Sequence, residues 1–139
     1  MIAQEQTIIQ YIPHRAPMIM VDGLLAYEEK SIESSLTIQS SNVFVEDGAF
    51  TPPGMVENIA QTVAAGAWYQ ALSNEKPIPL GFLAGIKSLK IHKLPPVGTD
   101  ITTKVRVINQ IMNIGIVYGE VWQNGTLIAE CEMRIFIQK

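Results

Sequence analysis

Between Gly54 and Leu72 the apolar residues Met55, Val56, Ile59, Ala60, Val63, Ala64, Ala67, Trp68, Ala71 and Leu72 recur at three- and four-residue steps, the period of an α-helix. So broad a stripe predicts a helix surrounded by protein along most of its length. That restricts what the rest of the chain can build: something must wrap around it. Ala64-Ala65-Gly66-Ala67 lets sheet backbone or a neighbouring helix approach closely. Glu57 is the awkward residue, set just inside the helix start among apolar neighbours. A buried carboxylate is costly unless it is paired, neutralised or used.

The flanks supply the wrapping. Residues 3–11 carry a weak helical pattern in which Ile8, Ile9 and Ile12 dock on a core, and Pro13 and Pro17 end it. Met18 to Val21 reads as a short buried strand or extended run. Leu24 to Tyr27 and Ser31 to Ile38 form a hairpin. After Pro77 and Pro79 come strands at Leu80 to Ile91, Ile101 to Asn109 and Ile114 to Gln123, with turns at Pro95-Pro96-Val97-Gly98 and Gln110 to Asn113. Asn124-Gly125 predicts a type I′ turn. In the last strand Leu127, Ala129, Cys131, Met133, Ile135 and Ile137 alternate with Glu130, Glu132 and Arg134, so one face is buried. The expectation is one α+β domain over residues 1–139, a mostly antiparallel sheet around one long central helix.

Composition narrows the function classes. At 139 residues and 47% hydrophobic the chain can bury a genuine core. A net charge of −3 argues against a general nucleic-acid binder. Lys87, Lys90, His92 and Lys93 form a basic cluster, read as a solvated strand face or a docking patch for an acidic or phosphate-bearing carrier. Cys131 is the single cysteine and is placed inward as a small hydrophobe. No signal-peptide pattern opens the chain, and Glu57, Asn58 and Gln61 make the helix too polar to span a bilayer. A cytoplasmic protein without a membrane partner is expected. Two histidines and one cysteine lack metal-ligand spacing, and no P-loop, dinucleotide or nucleophile-elbow motif occurs, so no cofactor or metal is predicted.

Four motifs in order carry a resemblance. They are Ile12-Pro13-His14-Arg15 with Pro17 and Met20-Val21-Asp22; Gly48-Ala49-Phe50 with Pro53-Gly54 and Glu57-Asn58-Ile59-Ala60-Gln61; Phe82-Leu83-Ala84-Gly85-Ile86; and Pro96-Val97 with Asp100. Together they resemble the 3-hydroxyacyl-acyl carrier protein dehydratases of the hotdog fold over nearly the full length. The divergent dehydratase-like branch of aryl-polyene and related lipid or polyketide gene clusters is more similar still.

The resemblance implies a tunnel at a dimer interface, where a His removes the α-proton of a 3-hydroxyacyl thioester and a protonated acid helps the hydroxyl leave. It makes Glu57 the acid and the N–H groups around Gly54 the element that polarises the thioester carbonyl. It implies that Ala49, Phe50, Gly54, Asn58, Gln61, Phe82 and Gly85 line the substrate site. It further implies an acyl thioester on acyl carrier protein or CoA as ligand, and a homodimer or a heterodimer with a related dehydratase subunit.

Two departures matter. Ala49 stands where the family has its histidine, and alanine moves no proton. The connection from Phe50 to Glu57 is also shorter. A positioned general base contributes about 10²- to 10⁴-fold, so the chain by itself is expected to be weak or inactive unless another residue serves. Glu46 and Asp47 read as turn residues on a wet loop, and His14 reads as a structural residue bridging backbone groups. Glu57 itself stays open between lining the site, accepting helix N-terminal amides, and pairing with Arg15, Asn58 or Gln61. Three readings follow: a dehydratase of low or altered activity, a non-catalytic partner subunit, or a hotdog thioesterase in which Glu57 activates water.

Overall fold

The computed structural model describes residues 2–4 and 7–138. A 3-10 turn (Ile8–Gln10) precedes the hairpin of β1 (Gly23–Glu28) and β2 (Ser31–Thr37). A two-rung ribbon, β3 (Val45–Glu46) and β4 (Ala49–Phe50), leads into the helix α1 (Pro52–Ser73). Strands β5 (Leu80–Ile91), β6 (Asp100–Ile111), β7 (Ile114–Gln123) and β8 (Thr126–Gln138) follow. The six long strands form one sheet in the order β1-β2-β6-β7-β8-β5, with every neighbouring pair antiparallel. This is the α+β arrangement expected, a sheet curled against a single long helix.

Several boundaries differ from expectation for local reasons. The helix starts at Pro52, because proline is tolerated in the first turn, where its missing N–H is no loss. Of the helical pattern over residues 3–11, residues 5 and 6 lie outside the described residues, and the remainder holds one 3-10 turn that buries Ile8 and leaves Ile9 exposed. Met18 to Val21 joins no ladder, although Met20 and Val21 are fully buried. Leu127 is only half-buried, because a bulge opposite Val121 and Trp122 makes Ile128 an extra residue of β8 and sends it into the core. Asn124 (φ 48°) and Gly125 (φ 78°) both take the left-handed conformation that a type I′ turn requires. The same pattern recurs at Asp47 (φ 52°) and Gly48 (φ 78°), closing the β3–β4 ribbon.

The helix packs differently from the reading of its apolar stripe. Its face toward the sheet carries Met55, Ile59 and Ala65 but also Asn58, Gln61 and Thr62, all buried. Gly66 and Gly119 let the two layers meet: a side chain at either would collide with Ile32 of β2 or Ile59 of α1 respectively. The buried polar groups are hydrogen-bonded, which makes their burial tolerable. Ser34 Oγ and Thr62 Oγ1 are 2.6 Å apart, Thr62 Oγ1 donates to the Asn58 carbonyl at 2.8 Å, and the Thr103 hydroxyl donates to Asn58 Oδ1. Meanwhile Val56, Ala60, Val63, Ala64, Ala67 and Trp68 are only half-buried and Leu72 is exposed. The stripe that signals the helix is therefore largely not the face that anchors it.

The two sheet edges are treated unequally. Beside β1, the N-terminal segment adds a bridge: Ile2 N–H donates to the Leu24 carbonyl at 2.8 Å, and Leu24 N–H to the Ala3 carbonyl at 2.9 Å. At the far edge, β5 pairs on one side only among the described residues and exposes Leu80, Phe82, Leu83, Ile86 and Leu89. Lys87 and Lys90 of this strand stand opposite Glu132 and Glu130 of β8. Among the described residues no helix is long and apolar enough to cross a membrane.

Candidate active site

Glu57 is not sealed in the core. Its side chain is 31% exposed and faces His14, which is 30% exposed, with Nε2 of the imidazole 3.5 Å from Glu57 Oε1. That spacing is long for a hydrogen bond, but it is short enough for a slight movement to make one. Glu57 Oε1 also accepts from Gln61 Nε2 at 2.9 Å. The imidazole does not bridge backbone groups, as its place in the Pro-His-Arg element leads one to expect: its Nδ1 is buried with no hydrogen-bond partner among the described residues. Arg15 does not meet Glu57; its guanidinium folds back to donate to the carbonyls of Ile12 and His14.

His14 and Glu57 lie on the wall of a cavity of about 680 Å³, well within the size range of small-molecule sites. The half-buried stripe Ala60, Val63, Ala64, Ala67 and Trp68 forms its helical side, and Phe82 and Leu83 of the open edge strand contribute the opposite side. Along the helix it extends from Glu57 to Gln70, roughly 20 Å at 1.5 Å per residue. Tyr27 lines the cavity and its ring packs against that of Tyr69 at a 5.2 Å centroid distance, tilted by 58°. Burial, then the charge of Glu29 and then Tyr69, pushes its phenol above the ordinary value, so that end of the cavity offers a neutral hydroxyl.

Of the predicted site residues, the structure brings Glu57 and Phe82 to this cavity. The others lie elsewhere. Phe50 is fully buried and its ring covers Gly54. Ala49 pairs with Glu46 and bridges to Pro96. Asn58 and Gln61 are fully buried and hold the Met18–Met20 backbone: Asn58 Nδ2 donates to the Met20 carbonyl at 2.7 Å, and Gln61 Oε1 accepts from Met20 N–H at 2.7 Å. Gly85 sits at a bulge of β5 with open space around its Cα. The helix start is also less available than expected. Pro52 and Pro53 have no N–H, and the N–H groups of Gly54 and Met55 donate to the Thr51 carbonyl at 3.0 and 3.2 Å. Glu46 and Asp47 are exposed on the small ribbon and do not line the cavity.

A second polar cluster lies on the outer face of the sheet. The Tyr118 hydroxyl donates to Glu130, and His92 Nε2 is 3.0 Å from the same carboxylate. The Tyr118 hydrogen bond, followed by that of His92, holds the Glu130 carboxyl below its usual range, and the same bond to Glu130 pushes the Tyr118 phenol up to about 12. None of the three lines the cavity. They tie β7, β8 and the end of β5 together.

A sequence model described as ApeP-like, ApeP dehydratase, matches residues 6–139. The chain is 28% identical over 134 residues to the 3-hydroxyacyl-[acyl-carrier-protein] dehydratase FabZ of Shewanella sp. strain W3-18-1, covering 91% of this chain and 86% of that protein. Its fold is similar to a chain of the dehydratase heterocomplex ApeI:P from Xenorhabdus doucetiae, with a TM-score of 0.87, 17% identity, and coverage of 95% and 91%. It is also similar to PH1136 from Pyrococcus horikoshii, with a TM-score of 0.70, 17% identity, and coverage of 100% and 96%.

Proposed function

The chain belongs to the ApeP-like dehydratase family, and on that premise we propose that it removes water from a 3-hydroxyacyl thioester with His14 and Glu57 as the reacting pair. The observation that carries this reading is the 3.5 Å approach of His14 Nε2 to Glu57 Oε1 on the wall of an otherwise largely apolar cavity. Ala49 cannot act as base, and His14 is the imidazole near the acid.

In this reading the acyl chain lies along Ala60, Ala64 and Ala67 with its thioester toward Glu57. His14 takes the proton from C2, the C3–O bond breaks, and the departing hydroxyl takes the proton held by Glu57. The products are a 2-enoyl thioester and water. The proton on His14 then returns to Glu57 across their short separation, which resets both groups. The general acid and base each contribute about 10²- to 10⁴-fold in such a step. The carrier is an acyl carrier protein or CoA, the former in keeping with the name of the FabZ relative.

The open β5 edge favours a second reading, in which the chain works as one subunit of a pair. Phe82 and Leu83 lie both on that edge and on the cavity wall, so a neighbour seated there would help close the cavity. The neighbour is a second copy or a related dehydratase subunit, in keeping with the dehydratase heterocomplex ApeI:P of Xenorhabdus doucetiae. The experiment is dehydration of a 3-hydroxyacyl carrier-protein substrate by the purified chain, His14→Ala and Glu57→Gln. Loss of enoyl product in both variants supports the pair, and undiminished turnover in either sinks it. Turnover that appears only with a sister subunit selects the second reading. Acyl-CoA hydrolysis abolished by Glu57→Gln would point to a thioesterase instead.

A further inference from the structure

Resting on that reading, we infer that Gln61 is a positioning residue that sets the Glu57 carboxylate against the segment bearing His14. Its side chain is fully buried and makes three hydrogen bonds: Oε1 accepts from Met20 N–H at 2.7 Å, while Nε2 donates to the Met18 carbonyl at 2.8 Å and to Glu57 Oε1 at 2.9 Å. The first two reproduce what a neighbouring strand would offer an extended backbone, which explains how Met18–Met20 is held without joining a ladder. The third uses the second amide hydrogen, so both N–H groups are engaged. Glu57 and Gln61 are four residues apart on one helix and thus lie on the same face.

The result is a closed chain of contacts. His14 connects to Met18 through Arg15, Ala16 and Pro17, a link closed by Met18 N–H donating to the Arg15 carbonyl at 2.9 Å. The Arg15 guanidinium donates to the carbonyls of Ile12 and His14 at 2.9 and 2.7 Å. Met18 connects through Gln61 to Glu57, and Glu57 Oε1 returns to His14. A displacement of the extended segment is therefore transmitted to the carboxylate, and one of the carboxylate to the segment. Asn58 provides the contrast. It holds the same Met20 backbone from the same helix, but its side-chain oxygen accepts from Thr103 and does not meet Glu57.

Two histidines occur in the sequence, and His92 lies in the outer-face cluster with Glu130. Imidazole ¹⁵N spectra therefore report His14 with an internal reference. In the otherwise unaltered protein, Glu57→Gln is expected to move the His14 resonances and leave those of His92 in place. In a Gln61→Met background the same Glu57→Gln change is expected to lose its effect on His14, whereas in an Asn58→Ala background the effect persists. A full His14 response in the Gln61→Met background overturns the assignment, as does equal loss in both backgrounds. If Gln61→Met does not fold, Gln61→Glu takes its place: it keeps an acceptor for Met20 N–H and loses both donors. Where turnover is measured, Gln61→Met lowers kcat about 10²-fold with KM little changed, the effect of a misplaced reacting group. Absence of dehydration altogether refutes the preceding reading and leaves the spectral comparison standing.

Discussion

Ile59 of the helix lies directly over Gly119 of β7, so close that no side chain fits on the glycine. Ile59 is β-branched and strongly restricted at χ1 in a helix, so it cannot swing clear. Gly119→Ala should therefore destabilise the protein by about 1–3 kcal/mol, the usual cost of overpacking. Gly66→Ala meets Ile32 in a similar way, but it lies within the helix and recovers roughly 1 kcal/mol of helix propensity. Urea denaturation should rank Gly119→Ala as the less stable of the two, and a Gly119→Ala protein as stable as the parent would show that the layers are looser than described.

His14 and Glu57 are each about one-third exposed on the cavity wall, so replacing either disturbs a partly buried side chain. His14→Ala and Glu57→Gln should each cost about 1 kcal/mol in stability, the common size for a single substitution. Turnover should fall by about 10²- to 10⁴-fold. Thermal melts run beside kinetics separate the two effects; a large stability loss would mean that the pair is structural.

Burial pushes the Cys131 thiol from 9.0 up to about 11. The folded state then holds a proton that the unfolded chain has already released, so the stability this contributes is complete below pH 9 and is lost as pH rises toward 11. The loss amounts to roughly 3 kcal/mol. Cys131→Ala should flatten that part of a stability-against-pH curve; an unchanged slope would place the thiol in contact with water.

Tyr118, pushed up to about 12, extends the same decline over the interval from 10.0 upward. Its hydroxyl also holds the Glu130 carboxyl low, a contribution present at neutral pH and lost as pH falls through the folded-state value. Tyr118→Phe should thus remove the upper part of the alkaline decline and make the acid limb shallower. Chemical denaturation at a series of pH values tests both limbs, and a variant that altered only one would uncouple the pair.

Much of this architecture was legible in local chemistry. Asn124-Gly125 announced its turn because a type I′ geometry needs two left-handed residues, and the bounds of β5 and β7 followed from apolar runs between turn signals. Asp47-Gly48 carries the same signal, yet its ribbon is too short for any periodicity to frame it. The site was harder to read. Glu57 stood out as an acid on an apolar helix, but its exposure follows from the stripe facing a cavity, and hydropathy alone does not say which apolar face meets the sheet. Asn58 and Gln61 are expected in the site only through the resemblance carried by Glu57-Asn58-Ile59-Ala60-Gln61. What they hold is the backbone of Met18–Met20, a long-range partner with no sequence signature. His14 reaches Glu57 only through that same arrangement.

Leu83→Lys and Ile86→Lys, both on the exposed faces of β5, should weaken self-association or pairing with a sister subunit, since charge on an edge strand opposes strand addition. The fold should be retained, because β5 is held by its ladder to β8. Light scattering and circular dichroism on the same samples check both halves; association undiminished in the two variants would move the interface elsewhere.

The bridge from Ala3 to Leu24 covers the start of β1, whereas β5 has no second neighbour among the described residues. A sheet with two bare edges can recruit a neighbour on each side and grow without limit, whereas one with a single bare edge stops once that edge is filled. The residues lying against the start of β1 thus make that edge a poorer acceptor of a further strand than β5.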